Sequence, residues 1–295
     1  MSSSKPPVLN TRLLQCLIFL FLSGFFFNLL GTAPRSIIYL RHVDISTLDP
    51  GISSDHYSSE VMANIFEGLV RFKKNEQTLE PCLATGWERS DDGKRWVFTL
   101  RKGVFFHNGT PVNSQSVKFS FDIKFKKKKE TYKRFNFLFS FISEIKIVDS
   151  NKIEFVLKKP YAPFLYSLAN AGALIVAPAS YGDKRFTPIG TGPFKFSKWT
   201  KDRFVILDRN NNYWEKKVRI EKIVFKVVED ISWRIAQLKS NKAHISIIRS
   251  GKEYSEIYGN KSFDTIQAPP IRIHYLAFNM RKSPFNRLEA REAVA

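Results

Sequence analysis

Two cysteines are too few to staple a chain of 295 residues. One of them, Cys16, sits in an apolar N-terminal run, so beyond that run Cys82 has no intrachain partner and the fold must rest on packing alone. A lone cysteine in such a context is expected to be a small buried hydrophobe rather than a reactive thiol. Histidine is equally sparse. The five, His42, His56, His107, His244 and His274, stand far apart and in no metal-ligand spacing. His56 and Glu60 are four residues apart and could share a helix face, an ordinary surface pairing. There is no nucleophile elbow and no zinc-protease helix signature. Gly190-Thr191-Gly192-Pro193 has the outline of a phosphate loop, but Pro193 lacks the N–H such a cradle needs and no Lys-Ser/Thr follows. The expectation is therefore a protein that is not an enzyme and carries no cofactor or metal, with this glycine pair opening a strand.

Phenylalanine, by contrast, is abundant. With 27 Phe, 5 Trp and 43% hydrophobic residues, the chain has the material for a large core, which excludes a disordered tail. Lys5 and Arg12 precede an almost unbroken apolar stretch from Leu13 to Leu30, so residues 1–35 read as an export signal, cleaved or kept as a membrane anchor. Cys16 lies at the start of that stretch rather than after it, against lipoprotein processing. The formal net charge of +20 falls to +17 once Lys5, Arg12 and Arg35 are set aside. Most lysines are dispersed, and the dense run Lys124 to Lys129 (KFKKKK) is expected to be a solvated face or loop at a helix C-terminus, where positive charge is favoured.

Periodicity sketches a mixture of strands and helices. Val61, Ile65 and Leu69 recur at helical spacing between Ser58 and Val70. Trp96, Phe98 and Leu100 alternate with Arg95, Val97 and Thr99 after an Asp92-Gly93 turn, and Glu144–Val148 and Lys152–Leu157 alternate around Asp149-Ser150-Asn151 as a hairpin. A helix capped by Asn113 or Ser114 carries Val117, Phe121 and Phe125. Leu174 to Ala177 reads as a buried strand. Further strands are expected at 36–41, 194–199, 203–208, 222–228, 244–248 and 263–268, with a helix over 231–240. No internal repeat is visible.

Several of these segments occur together in an order that resembles one family. NIFEGLV (64–70), EPCLATGWERSDDGKRWVFTLRKGV (80–104), FFHNGTPV (105–112), IGTGPFKFSKW (189–199) and YLAFNMRKSPFNRLEAREAVA (275–295) are similar to the extracellular solute-binding proteins of family 5, the oligopeptide, dipeptide and nickel-binding subunits of ABC importers. The resemblance implies an α/β (mixed α+β), periplasmic-binding-protein-like fold with mixed sheets. Family members are longer, so the expectation is the N-terminal lobe alone, from a truncated or split member. It places lobe I over 36–270 with an inserted subdomain at about 51–180, and a crossover into the second lobe over 271–295.

In the family, two lobes close on an extended peptide whose backbone groups pair with main-chain groups from both, and permease subunits read the closure. The resemblance carries ligand contact to Ser54, Asp55 and His56, which align without a gap between Leu48-Asp49-Pro50 and Glu67, and to Arg272 and Tyr275 near the crossover. Asp55 could equally cap the following helix, and Tyr275 could face the core. Expected partners are short peptides, the permease and a separately encoded second lobe. Relatives also carry metal chelates or haem. A different class of reading, a basic membrane-tethered or nucleic-acid-binding protein, rests on the charge alone and is not favoured.

Overall fold

The computed structural model describes residues 35–73, 76–126, 132–182, 185–248, 251–266 and 277–294. The chain divides after Ile248 into two compact units. In chain order the first contains β1 (Ser36–Arg41), α1 (His56–Ile65), β2 (Val70–Phe72), β3 (Leu79–Pro81), β4 (Ala84–Arg89), β5 (Arg95–Leu100), α2 (Ser114–Lys126) and α3 (Lys133–Leu138). It continues with β6 (Ile142–Asp149), β7 (Lys152–Leu157), α4 (Phe164–Leu168), β8 (Phe194–Thr200), β9 (Phe204–Arg209), β10 (Lys222–Val227), α5 (Ile231–Lys239) and β11 (Ile245–Ser246). The second holds the short helices α6 (Gly251–Ile257) and α7 (Leu288–Glu292), with Arg291 donating to the Phe285 carbonyl at 2.7 Å.

The mixed α/β architecture expected from the sequence is the one observed. One sheet has the order β11-β1-β10-β9-β8, in which β1 runs parallel to both β10 and β11 while β8, β9 and β10 are antiparallel. A second, wholly antiparallel sheet has the order β4-β5-β7-β6, and β2 pairs with β3 alone.

The alternation in β5 sends Trp96, Phe98 and Leu100 to one face, where they meet Ile153, Phe155 and Leu157 from β7. Phe121 from α2 and Phe164 from α4 cover that face, with the Phe121 and Phe98 rings 5.2 and 5.6 Å from Phe155. Large aromatic faces buried this way supply the apolar area that disulfides would otherwise have to replace. A second cluster lies under the first sheet: Val61, Met62 and Ile65 of α1 pack on Val205, Leu207 and Phe225. Asn113 caps α2 reciprocally with Ser116, each side chain accepting from the other's backbone N–H at 2.9 and 3.0 Å.

Four expectations are corrected. α1 spans His56–Ile65 rather than reaching Val70, because Phe66 turns to extended backbone and donates to the Met62 carbonyl; Leu69 is buried from outside the helix. Leu174 to Ala177 is extended and mostly buried but belongs to no sheet, since its amides bond one by one to the Glu67 carbonyl, the Ser120 hydroxyl and the Ile189 carbonyl. Residues 263–266 form no strand, and 267–268 lie outside the described residues. Lys124, placed on a solvated face by its basic neighbours, is wholly buried, while Lys127 to Lys129 are outside the described residues.

Candidate functional site

Because β1 and β10 are parallel, their carboxyl ends, Arg41 and Val227, lie side by side. The ends of parallel strands are where open α/β sheets bind ligands. From Arg41 the chain enters a loop pinned to the core by Ile45 and Leu48 before starting α1 at His56. Asp44 holds the loop against the neighbouring strands, accepting from Trp199 Nε1 at 2.9 Å and the Asp202 N–H at 2.8 Å.

Asp55 is the N-cap of α1. Its Oδ1 accepts from the Ser58 N–H at 2.7 Å, and its Oδ2 from the hydroxyls of Ser46 at 2.5 Å and Ser58 at 2.7 Å. Partial burial pulls its pKa upward, but those hydrogen bonds together outweigh it and hold the carboxyl below its ordinary value. Ser54 and His56, on either side of this occupied carboxylate, are exposed. The three residues are thus consecutive at the start of one helix, with Asp55 building the turn between two exposed neighbours. Arg272 and Tyr275 lie outside the described residues.

Behind the loop, Arg41 is buried between the rings of Tyr57 and Phe225, with Nη2 donating to the Tyr57 carbonyl at 2.7 Å and to Glu60 Oε2 at 3.1 Å. Tyr39 donates to the other Glu60 oxygen at 2.7 Å. Glu60 therefore binds α1 to β1 and does not pair with His56. Nothing local in the sequence announces this, because the partners come from a strand and a helix separated by the loop.

Glu67, just past α1, is a buried hub. Thr191 Oγ1, Trp214 Nε1 and the Tyr213 hydroxyl each donate to it at 2.7 Å, and Cys82 Sγ lies 3.9 Å away. Burial raises its pKa, against the lowering effect of those donors. Cys82 beside it is buried and its thiol is pushed up to about 12 by desolvation, so it is not a nucleophile at neutral pH. Gly190 and Gly192 bring the Thr191 donor in: a Cβ at Gly190 would stand 2.0 Å from the Ile65 carbonyl oxygen, and one at Gly192 would stand 2.6 Å from that of Asn64. The glycines serve close backbone contact with the end of α1, and Pro193 leads into β8.

Two further histidines, His107 and His244, are engaged with the backbone. His107 is held neutral, pushed down to about 4 by burial, and its Nε2 meets the Gly192 carbonyl at 3.0 Å; His244 Nδ1 accepts from the Ile38 N–H at 3.0 Å. Among the described residues no group of three or more His, Cys, Asp or Glu could hold a metal ion, and no helix is long and apolar enough to cross a membrane.

Residues 78–295 match the family model for bacterial extracellular solute-binding proteins, family 5 Middle. The glutathione-binding protein GsiB of Salmonella choleraesuis (strain SC-B67) is 28% identical over 267 residues, 89% of this chain and 52% of the relative. A dipeptide-binding protein of Escherichia coli (strain K12) is 31% identical over 255 residues, 78% of this chain and 48% of the relative. Among solved structures, the ABC transporter-associated periplasmic binding protein DppA from Helicobacter pylori, in complex with the peptide STSA, superposes with a TM-score of 0.70 at 30% identity, covering 75% of this chain and 48% of its own. The chain thus spans about half the length of the curated relatives it matches, the share that one lobe of a two-lobed binder occupies. On the extent of the family match, the chain belongs to the bacterial extracellular solute-binding proteins of family 5.

Proposed function

We propose that this chain forms one wall of a peptide-capturing subunit of an ABC importer, with Ser54 and His56 facing the ligand and Asp55 fixing the turn between them. The observation that carries the reading is the exposed pair at the carboxyl ends of parallel strands, in a chain whose relatives include a dipeptide-binding protein and one bound to the peptide STSA. An extended peptide offers N–H and C=O groups whatever its side chains, so a wall built of backbone and small polar groups gives affinity without narrow sequence preference.

On the family resemblance alone we extend ligand contact to Arg272 and Tyr275 of the crossover over 271–295, and read a lobe over 36–270 with an inserted subdomain at about 51–180. The apolar run 13–30 directs export to the periplasm or the outer face of the cytoplasmic membrane, where permease subunits are the partners. The opposite wall comes from the half of the relatives' length that this chain does not match. If that wall supplies four or five hydrogen bonds of about 1 kcal/mol each, this chain alone binds roughly a thousandfold more weakly than an enclosed site.

The test is isothermal titration of the purified chain with a mixture of synthetic di- to tetrapeptides at millimolar concentration. Saturable heat that is insensitive to salt is expected. No heat, or binding only to anionic vesicles or nucleic acid with a steep salt dependence, would overturn the reading.

A further inference from the structure

The loop that carries Ser54 and leads into His56 has no sheet ladder of its own, so its shape must be imposed from elsewhere. Between Leu48 and Ser54 the chain turns on Asp49. The Asp49 carbonyl accepts from the N–H groups of Ile52 and Ser53 at 3.2 and 3.1 Å, and its Oδ1 accepts from the Gly51 N–H at 2.8 Å. The same carboxylate is buried and also receives two hydroxyls, Tyr181 on Oδ1 at 2.7 Å and Tyr132 on Oδ2. Tyr132 immediately precedes α3, and Tyr181 lies in the irregular stretch before β8. One side chain thereby ties the turn to two distant parts of the fold.

Under the turn lies Lys124, in the last turn of α2 and fully enclosed. Its Nζ donates to the carbonyls of Gly172 at 2.9 Å and Leu174 at 2.8 Å and stands over the rings of Phe121 and Phe135. Gly51 rests directly on this group. A Cβ there would come within 2.6 Å of Tyr132 Cε1 and 3.1 Å of Lys124 Cγ. The turn is therefore seated on the network with no spare room.

Such an arrangement is a costly way to gain stability. Enclosing an amine and a carboxylate carries a desolvation penalty that apolar side chains of similar volume avoid. Desolvation pushes the Lys124 amine down to about 7, with Asp49 opposing it. What a fully bonded polar network supplies, and an apolar patch does not, is one fixed orientation.

We infer that Asp49, Lys124, Tyr132 and Tyr181 are positioning residues for ligand capture, holding the turn Asp49–Ser53 so that Ser54 and His56 meet the ligand already in their bound arrangement. The inference rests on the peptide-binding reading of those two residues. A loop ordered in advance spares the ligand the entropy of ordering it, and each residue left to be fixed on binding weakens affinity by about tenfold.

The experiment compares the purified chain with Tyr181→Phe, Asp49→Asn and Gly51→Ala, with Tyr166→Phe as an exposed control. Hydrogen exchange of the segment 45–58 is measured without ligand, and affinity for the synthetic di- to tetrapeptide mixture is measured separately. Tyr181→Phe removes a single oxygen and keeps the test open should Asp49→Asn fail to fold. The expected result is exchange about tenfold faster in 45–58 with β5 and β7 unchanged, and peptide affinity at least tenfold weaker, while Tyr166→Phe alters neither. Exchange in 45–58 equal to the unaltered chain, exchange faster everywhere alike, or a loosened loop with unchanged affinity would each overturn the inference. If the unaltered chain binds none of the peptides, the peptide reading falls; localised faster exchange then still supports the anchoring of the turn.

Discussion

Substitution of Glu67 separates two effects that the folded chain combines. Its carboxylate is 7% exposed and satisfies three donors, from Thr191, Tyr213 and Trp214, each at 2.7 Å. Glu67→Ala strands all three in a dry site. At about 1–3 kcal/mol per unsatisfied buried donor, and allowing one hydroxyl to turn to another acceptor, the loss is about 2–6 kcal/mol. Glu67→Gln keeps one oxygen for Thr191 and Trp214 and presents an amide that can donate to the Tyr213 hydroxyl, while relieving the desolvation of the charge; its cost is about 0–2 kcal/mol.

The two variants also differ in pH response. Burial raises the folded pKa of Glu67, so on raising the pH the unfolded chain gives up this proton first. Stability is then lost as pH rises from the unfolded value through the folded one, and levels off above it. Glu67→Gln lacks that loss, so its stability relative to the unaltered chain should improve as pH rises through the mildly acidic range. Urea unfolding followed by tryptophan fluorescence across a pH series reads both quantities. A Gln variant as damaged as the Ala variant, or a difference that does not change with pH, would refute the account of this hub.

Three further outcomes are expected. Folded Lys124 releases its proton near pH 7 whereas the unfolded residue holds it to about 10.5, so stability should rise with pH across that window, and the difference from Lys124→Met in urea midpoint should expose the rise with the tyrosines cancelled. Gly190→Ala drives a methyl into the Ile65 carbonyl, a backbone group that cannot swing away, and should cost about 2–4 kcal/mol in the same unfolding assay. Asp55→Ala removes the cap of α1 and should cost about 1 kcal/mol, with a loss of protection in amide exchange confined to the first turn of that helix.

What was legible in advance was local. The alternation of Trp96, Phe98 and Leu100 and the hairpin around Asn151 each follow from a few neighbouring residues, and each is found where its pattern placed it. Asp55 could be read as a helix cap because capping spans three residues. Lys124 could not be read as buried, because its surroundings in the sequence are basic while those in space are the Gly172 and Leu174 carbonyls and two Phe rings. Glu67 was likewise silent, its donors arriving from positions 191, 213 and 214. Leu174 to Ala177 misled for the opposite reason: an apolar run satisfies the signature of an interior strand, yet its amides find scattered acceptors and no ladder.

The placement of β1 between β10 and β11 has a consequence for how the molecule comes into being. Its opening strand is bordered on both sides by segments made last in the first unit, so the early chain has to wait, unpaired, until Lys222 onward arrives. Such distant pairing slows folding and leaves an exposed edge meanwhile. Under the export proposed above, such a delay would keep the chain unfolded until it has passed through a narrow pore.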